Sequence, residues 1–270
     1  QIPYSDVNCS RPARKSDSMS DKTALVTGAT RGIGRAITEA LLESGYRVIA
    51  VGRDEAKLAE LAELADLSGQ DDRILPASLD LHDTDAVAQF VSDLPPEWAC
   101  IDVLVNNAGH DVGGRQAFHE GTAQEWDDII EINVKGLMRM TRAVIPAMVA
   151  RGQGHVINMG SVSGLSTYAG GTAYNASKYA VRAFTDALRK DYATTKIRVT
   201  EILPGLVKTD FAESRLYGEP DNAAAFYDGF LSHLEPTDIA NAVLYALEQP
   251  AHVNISQVVI EPTQIGRKES

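Results

Sequence analysis

No apolar run in the sequence approaches the roughly 18–20 residues that a bilayer-spanning helix needs, which excludes a helical membrane protein. Cysteine is nearly absent. Cys9 and Cys100 are too few for a disulfide framework and do not make a metal-spaced cluster, so a reducing, cytoplasmic setting is the expectation. The six histidines show no metal-ligand spacing, and no metal is expected. Cations are also in deficit: 25 Lys and Arg face 37 Asp and Glu, for a formal charge of −12. Phosphate backbones require clustered cations, so nucleic acid is excluded as the main partner. A small anionic ligand is not excluded, because a few placed arginines reverse the potential locally. The first twenty residues have no apolar core and do not read as a secretory signal. Met19 followed by SDKTALV reads as a start, with residues 1–20 as an appended or disordered leader.

What remains is an ordinary soluble composition, 44% hydrophobic and 23% charged, in a chain long enough to bury one large α/β core. From Lys22 onward, β-branched runs alternate with amphipathic stretches. The strands expected are KTALVT, YRVIAV, RILPAS, IDVLVN, HVINM, IRVTEIL and QVVIEP. Between them, helices are expected at 32–43, 55–67, 84–92, 122–150, 173–192 and 236–248, with a kink or break near Pro146. Seven strands separated by helices predict a single-domain, doubly wound parallel sheet covered on both faces. The domain runs over 21–263, with a short tail at 264–270. The stretch 211–234 has weak periodicity and reads as a substrate loop.

After the first strand comes Gly28-Ala29-Thr30-Arg31-Gly32-Ile33-Gly34, opening into a helix. Glycines there admit a tight turn and let the backbone approach a dinucleotide pyrophosphate, which the helix N-terminus then receives. An acidic residue at the end of the second strand would bind a ribose 2′-hydroxyl and repel a 2′-phosphate. The sequence instead reads Val51-Gly52-Arg53, with Arg31 able to reach the same phosphate through a planar fork. NADP(H) is therefore expected over NAD(H). Asp54 next door opposes the effect, and two solvated arginines are the plainer alternative.

Tyr174 and Lys178, four residues apart at the start of a helix, face the same way. A free tyrosine ionises near pH 10, but a cation at about 4 Å stabilises the phenolate by roughly 4 kcal/mol at an effective dielectric near 20. That is the requirement for a tyrosine acid/base at neutral pH. Ser161 lies thirteen residues earlier, at the end of HVINM, where its hydroxyl can hold a substrate oxygen. Asn133, with mediocre helix propensity, is either a helix-bending water site linked to Lys178 or a simple surface polar residue.

Together these elements resemble the classical short-chain dehydrogenase/reductase family over about residues 22–263. The carriers are TGATRGIG, Asp80 in SLDLHD, NNAG at 106–109, Asn133, Ser161, YNASK and Pro204-Gly205. The resemblance implies a Rossmann fold and a proton relay of Asn133, Ser161, Tyr174 and Lys178, with Lys178 also holding the nicotinamide ribose. It implies cofactor contacts from Asp80 and Leu81 at the adenine end, from Asn107, Ala108 and Gly109 as the floor, and from Pro204, Gly205, Val207 and Thr209 beside the nicotinamide.

A narrower likeness, carried by LPPEWACIDVLVNNAG, YAGGTAYNASK, LPGLVKTDFAESRLYG and QPAHVNISQVVIEP, points to bacterial NADP-dependent 3-hydroxy acid dehydrogenases and related sulfoacetaldehyde reductases. It implies a β-hydroxy acid or semialdehyde as substrate. Arg215 is the expected cation for the acid group. His110 and Arg115 depart from the pattern of that group. Association, typically as a homotetramer through the long helices, is also implied. A carrier-protein 3-oxoacyl reductase and a non-catalytic NADP-binding regulator are the competing readings. The first wants a basic docking patch that a charge of −12 does not favour, and the second fits poorly with a complete set of relay residues.

Overall fold

The computed structural model describes residues 22–211 and 227–266. Its strands are β1 (Thr23–Thr27), β2 (Arg47–Gly52), β3 (Ile74–Ser78), β4 (Val103–Asn106), β5 (Gln153–Met159), β6 (Lys196–Pro204) and β7 (Gln257–Ile260). They form one seven-stranded sheet in the order β3-β2-β1-β4-β5-β6-β7, and every pairing is parallel. The expected doubly wound sheet is what forms.

Alternation along the strands explains the two layers. Ala24 and Val26, Val48 and Ala50, Val103 and Val105 join one apolar cluster; Leu25, Ile49, Val51 and Leu104 join the other. The first cluster is completed by α1 (Gly32–Glu43), α2 (Glu55–Leu67) and α7 (Pro236–Leu247), through Ile37, Leu41, Leu58 and Val243. The second is completed by α3 (Thr84–Asp93), α5 (Leu137–Arg151) and α6 (Thr172–Asp191), through Val91, Met140, Met148 and Leu188.

Helix starts follow local chemistry. Asp54 accepts from Lys57 N at the start of α2, Asp83 accepts from Ala86 N at α3, and Thr122 with Glu125 forms a capping box on α4 (Ala123–Ile130). α1 has no side-chain cap at all.

The expected interruption of the 122–150 helix is misplaced. α5 runs through Pro146 to Arg151 and stops at Gly152, whose φ of 71° is the left-handed conformation of a C-terminal glycine. The interruption lies upstream, in a π-helical segment at Glu131–Gly136 between α4 and α5. Cys100 is buried, and Cys9 lies outside the described residues. The expected leader, 1–20, lies outside the described residues, as does 212–226 of the expected substrate loop.

Leu41 is fully buried in the α1 layer. Leu41→Ala is expected to cost about 2–5 kcal/mol in urea unfolding, the range for emptying a packed leucine site. A loss below about 1 kcal/mol would mean that α1 does not pack as described.

Candidate active site

β1 and β4 are neighbours in the sheet although two strands separate them in sequence, so the chain leaves their carboxyl ends in opposite directions. Ligands of open α/β sheets bind in the crevice this reversal creates. A cleft of about 880 Å³ opens there, large enough for a dinucleotide end and a small substrate.

Its floor is the glycine turn. Gly28 and Gly32 take φ of 65° and 51°, which disfavour any side chain. A Cβ on Gly34 would overlap the Gly28 carbonyl and the Asn107 amide, so this glycine serves close packing behind the wall. The turn is latched to β4: Asn107 Nδ2 donates to the Thr27 and Gly28 carbonyls at 3.0 and 3.2 Å, and the amides of Asn107 and Ala108 donate to Thr27 Oγ1. Because no side chain caps α1, its first-turn N–H groups and the positive dipole end remain available to a phosphate. Thr30, Arg31, Gly32 and Ile33 line the cleft beside them. The residues present fit a dinucleotide pyrophosphate.

At the end of β2, Arg53 is 62% exposed and stands 4.0 Å from Asp80. Leu81 lines the cleft as well, as do Asn107, Ala108 and Gly109. Beyond Asp80 runs a chain of charges. His82 Nδ1 is 2.8 Å from Asp80, His82 Nε2 is 2.7 Å from Asp128, and His110 Nε2 is 3.2 Å from the other Asp128 oxygen. Partial burial alone would lower the His82 pKa, but its bonds to the two carboxylates raise it. Burial lowers that of His110 against the pull of Asp128.

At the other end, α6 places Tyr174 and Lys178 on one face, with the Lys178 ammonium 5.7 Å from the Tyr174 ring centre. Lys178 Nζ donates to the Met159 carbonyl at 3.0 Å, and burial pulls its pKa down to about 8 against the opposing fields of Glu201 and Asp111. Ser161, just past β5, lines the cleft. Its hydroxyl accepts from Ser163 N at 3.1 Å and lies 3.5 Å from the Pro204 carbonyl. Gly205, Val207 and Thr209 continue the wall, with Thr209 against Gly32. Phe211 packs edge-on against Tyr174 at 5.9 Å.

Asn133 is 2% exposed, which rules out the surface alternative, and it sits in the π segment. Its amide is fully engaged. Oδ1 accepts from His110 N, and Nδ2 donates to the His110 carbonyl and to Ser177 Oγ, which in turn donates to the Tyr174 carbonyl. Asn133 is not among the residues lining the cleft; its side chain ties the post-β4 loop to Ser177 in α6.

The family model for short chain dehydrogenase matches residues 22–219. The chain belongs to that family. It is 43% identical over 246 residues to a protein named probable NADP-dependent dehydrogenase from Haemophilus influenzae, covering 91% of this chain and 95% of that protein. It is 43% identical over 240 residues to the NADP-dependent 3-hydroxy acid dehydrogenase YdfG of Escherichia coli, covering 88% and 94%. Among solved structures, the closed form of serine dehydrogenase complexed with NADP+ superposes with a TM-score of 0.83 at 42% identity, over 88% of this chain and 94% of that one.

Three residues of this dehydrogenase's site escaped the sequence reading. Glu201 is a lone carboxylate in the apolar run of β6, wholly buried, and its side chain fills the space a Cβ on Gly160 would need. That isolation was its available signal. Ser177, inside YNASK, carries the Asn133 bond. His110 reads in the sequence only as a departure from the family pattern, and its tie to Asp128 is not legible from spacing. Arg215 lies outside the described residues.

The raised His82 pKa means folding takes up a proton there. Its contribution is complete below the unfolded value, about 6.5, and is lost as pH rises through the folded one. The stability advantage of the parent over His82→Gln is therefore expected to shrink between pH 6 and 8.5 in urea titrations. A gap that widens with pH would contradict the network.

Proposed function

We propose that this dehydrogenase passes hydride between NADP(H) and a small 3-hydroxy acid, or reduces the matching semialdehyde. The observation that carries the reading is the convergence of Tyr174, Lys178 and Ser161 on the same cleft that the glycine turn lines. The NADP-dependent 3-hydroxy acid and serine dehydrogenases, at 43% and 42% identity, support both cofactor and substrate class.

NADP(H) is the cofactor. The glycine turn and the α1 N-terminus would hold its pyrophosphate, Arg31 and Arg53 the 2′-phosphate, Asp80 and Leu81 the adenine end, and Asn107, Ala108 and Gly109 the floor. Pro204, Gly205, Val207 and Thr209 would flank the nicotinamide, and Lys178 would hold its ribose. When bound, the cofactor supplies the hydride acceptor for oxidation and the donor for reduction.

The chain's own residues handle the oxygen and its proton. Ser161 Oγ holds the substrate oxygen. Tyr174 takes the hydroxyl proton during oxidation and returns it during reduction. Lys178 favours the ionised tyrosine. Taking the 5.7 Å ring distance as the charge separation, the attraction is about 3 kcal/mol at an effective dielectric near 20, somewhat less than a 4 Å contact would supply. Asn133 acts as a positioning residue, holding α6 and the loop after β4 in register. The exposed Met138 and Val149 on α5 and Tyr179 on α6 support self-association through those helices, and a homotetramer is the assembly this reading carries. A cytoplasmic setting belongs to the same reading, by analogy with a soluble metabolic enzyme.

Tyr174→Phe removes the proton carrier and little volume. Turnover with NADP+ and 3-hydroxypropionate or serine is expected to fall at least about 100-fold, with NADPH affinity by fluorescence nearly unchanged. Turnover retained within a few-fold rules out the role given to Tyr174.

A further inference from the structure

Among the cations lining the described cleft, Arg31, Arg53 and Lys57 surround the ends of β1 and β2, and Lys178 is buried on the Met159 carbonyl. One remains. Arg115, in the loop after β4, lines the cleft with its guanidinium 4.4 Å over the Tyr168 ring, and it makes no ion pair with a described carboxylate. A guanidinium stacked by its face keeps its N–H edges free for a planar, two-oxygen partner. In a chain with an excess of twelve acidic charges, an exposed arginine held on an aromatic ring rather than on a carboxylate is set apart from its surroundings.

The arginine is also held in place relative to the reacting end. Gln116 N donates to the Gly170 carbonyl at 3.1 Å, and a Cβ built on Gly170 would lie 3.3 Å from the Arg115 Cβ. Gly170 takes φ of 79°, which lets the two loops close on each other. Asn175 Nδ2 donates to the Tyr168 carbonyl at 3.0 Å, so the stacking platform is tied to the residue next to Tyr174. Cation, platform and catalytic tyrosine therefore sit on one connected frame.

We infer that Arg115, stacked on Tyr168, is the specificity residue that binds the acid group of the substrate. The ligand class is a short hydroxy acid carrying a carboxylate or a sulfonate, either of which presents two oxygens to the fork. The inference rests on the proposed hydride-transfer function and adds to it the group that selects acids over neutral alcohols. It assigns to Arg115 the role that the family likeness in the sequence leads one to expect of Arg215.

The test compares 3-hydroxypropionate, 2-hydroxyethanesulfonate and neutral 1,3-propanediol, each with NADP+, on the parent enzyme and on Arg115→Gln, Arg115→Lys and Arg215→Gln. Arg115→Gln is expected to lower the acid-to-diol ratio of kcat/KM at least about tenfold, mainly through KM, with Arg115→Lys between it and the parent. Loss for one acid only, carboxylate or sulfonate, identifies which head group the site takes. An unchanged ratio, an equal loss for acids and diol, or an acid-specific loss in Arg215→Gln in its place overturns the assignment. A parent enzyme active on the diol but not on either acid overturns it too, and leaves hydride transfer standing. A parent inactive on all three overturns the underlying function instead.

Discussion

Lys178 is 7% exposed, with its ammonium on one backbone carbonyl, that of Met159. Burying a cation this deeply costs several kcal/mol unless neighbouring groups share the charge. Much of the site follows from that constraint. Glu201 and Asp111 oppose the desolvation of Lys178, and the room Glu201 needs is supplied by the missing side chain of Gly160. The phase of α6, which aims Lys178 inward, also brings Tyr174 onto the cleft. That phase is held by Ser177, bonded to Asn133 in the π segment.

The π segment gives Asn133 its place. Had the helix over 123–151 been uniform, the residues after Gly136 would face differently, and the amide that clamps the His110 backbone would not meet it. π-helical turns are rare and cluster at functional sites, as this one does. The cofactor end obeys a different rule. There the decisive features are things left out: no side chain at Gly28, Gly32 and Gly34, no cap on α1, and no carboxylate between Val51 and Arg53.

Local features were legible in the sequence. α1 and α2 begin and end where periodicity and flanking residues place them, because an apolar stripe and an Asp54 cap are short-range signals. The parallel, doubly wound sheet follows from the alternation of strands and helices, whereas the crossing at β1 and β4 is seen only in the fold. Features that depend on distant partners were not legible. Pro146 reads as a break, yet α5 continues through it, since packing of Met140, Val144 and Met148 against the sheet outweighs one lost hydrogen bond. Asn133 reads equally as surface or relay, because its partners at His110 and Ser177 lie 23 and 44 residues away. The Arg53–Asp80–His82–Asp128–His110 chain joins four segments, and no spacing rule brings them together.

The central claim is that the Lys178 ammonium makes the Tyr174 hydroxyl easier to ionise. It is tested by ultraviolet pH titration of tyrosinate in the parent, in Lys178→Met, and in each of these with Tyr174→Phe to isolate the one signal. The account predicts that the Tyr174 component appears at clearly lower pH in the parent than in Lys178→Met. Identical Tyr174 transitions with and without the lysine would contradict it.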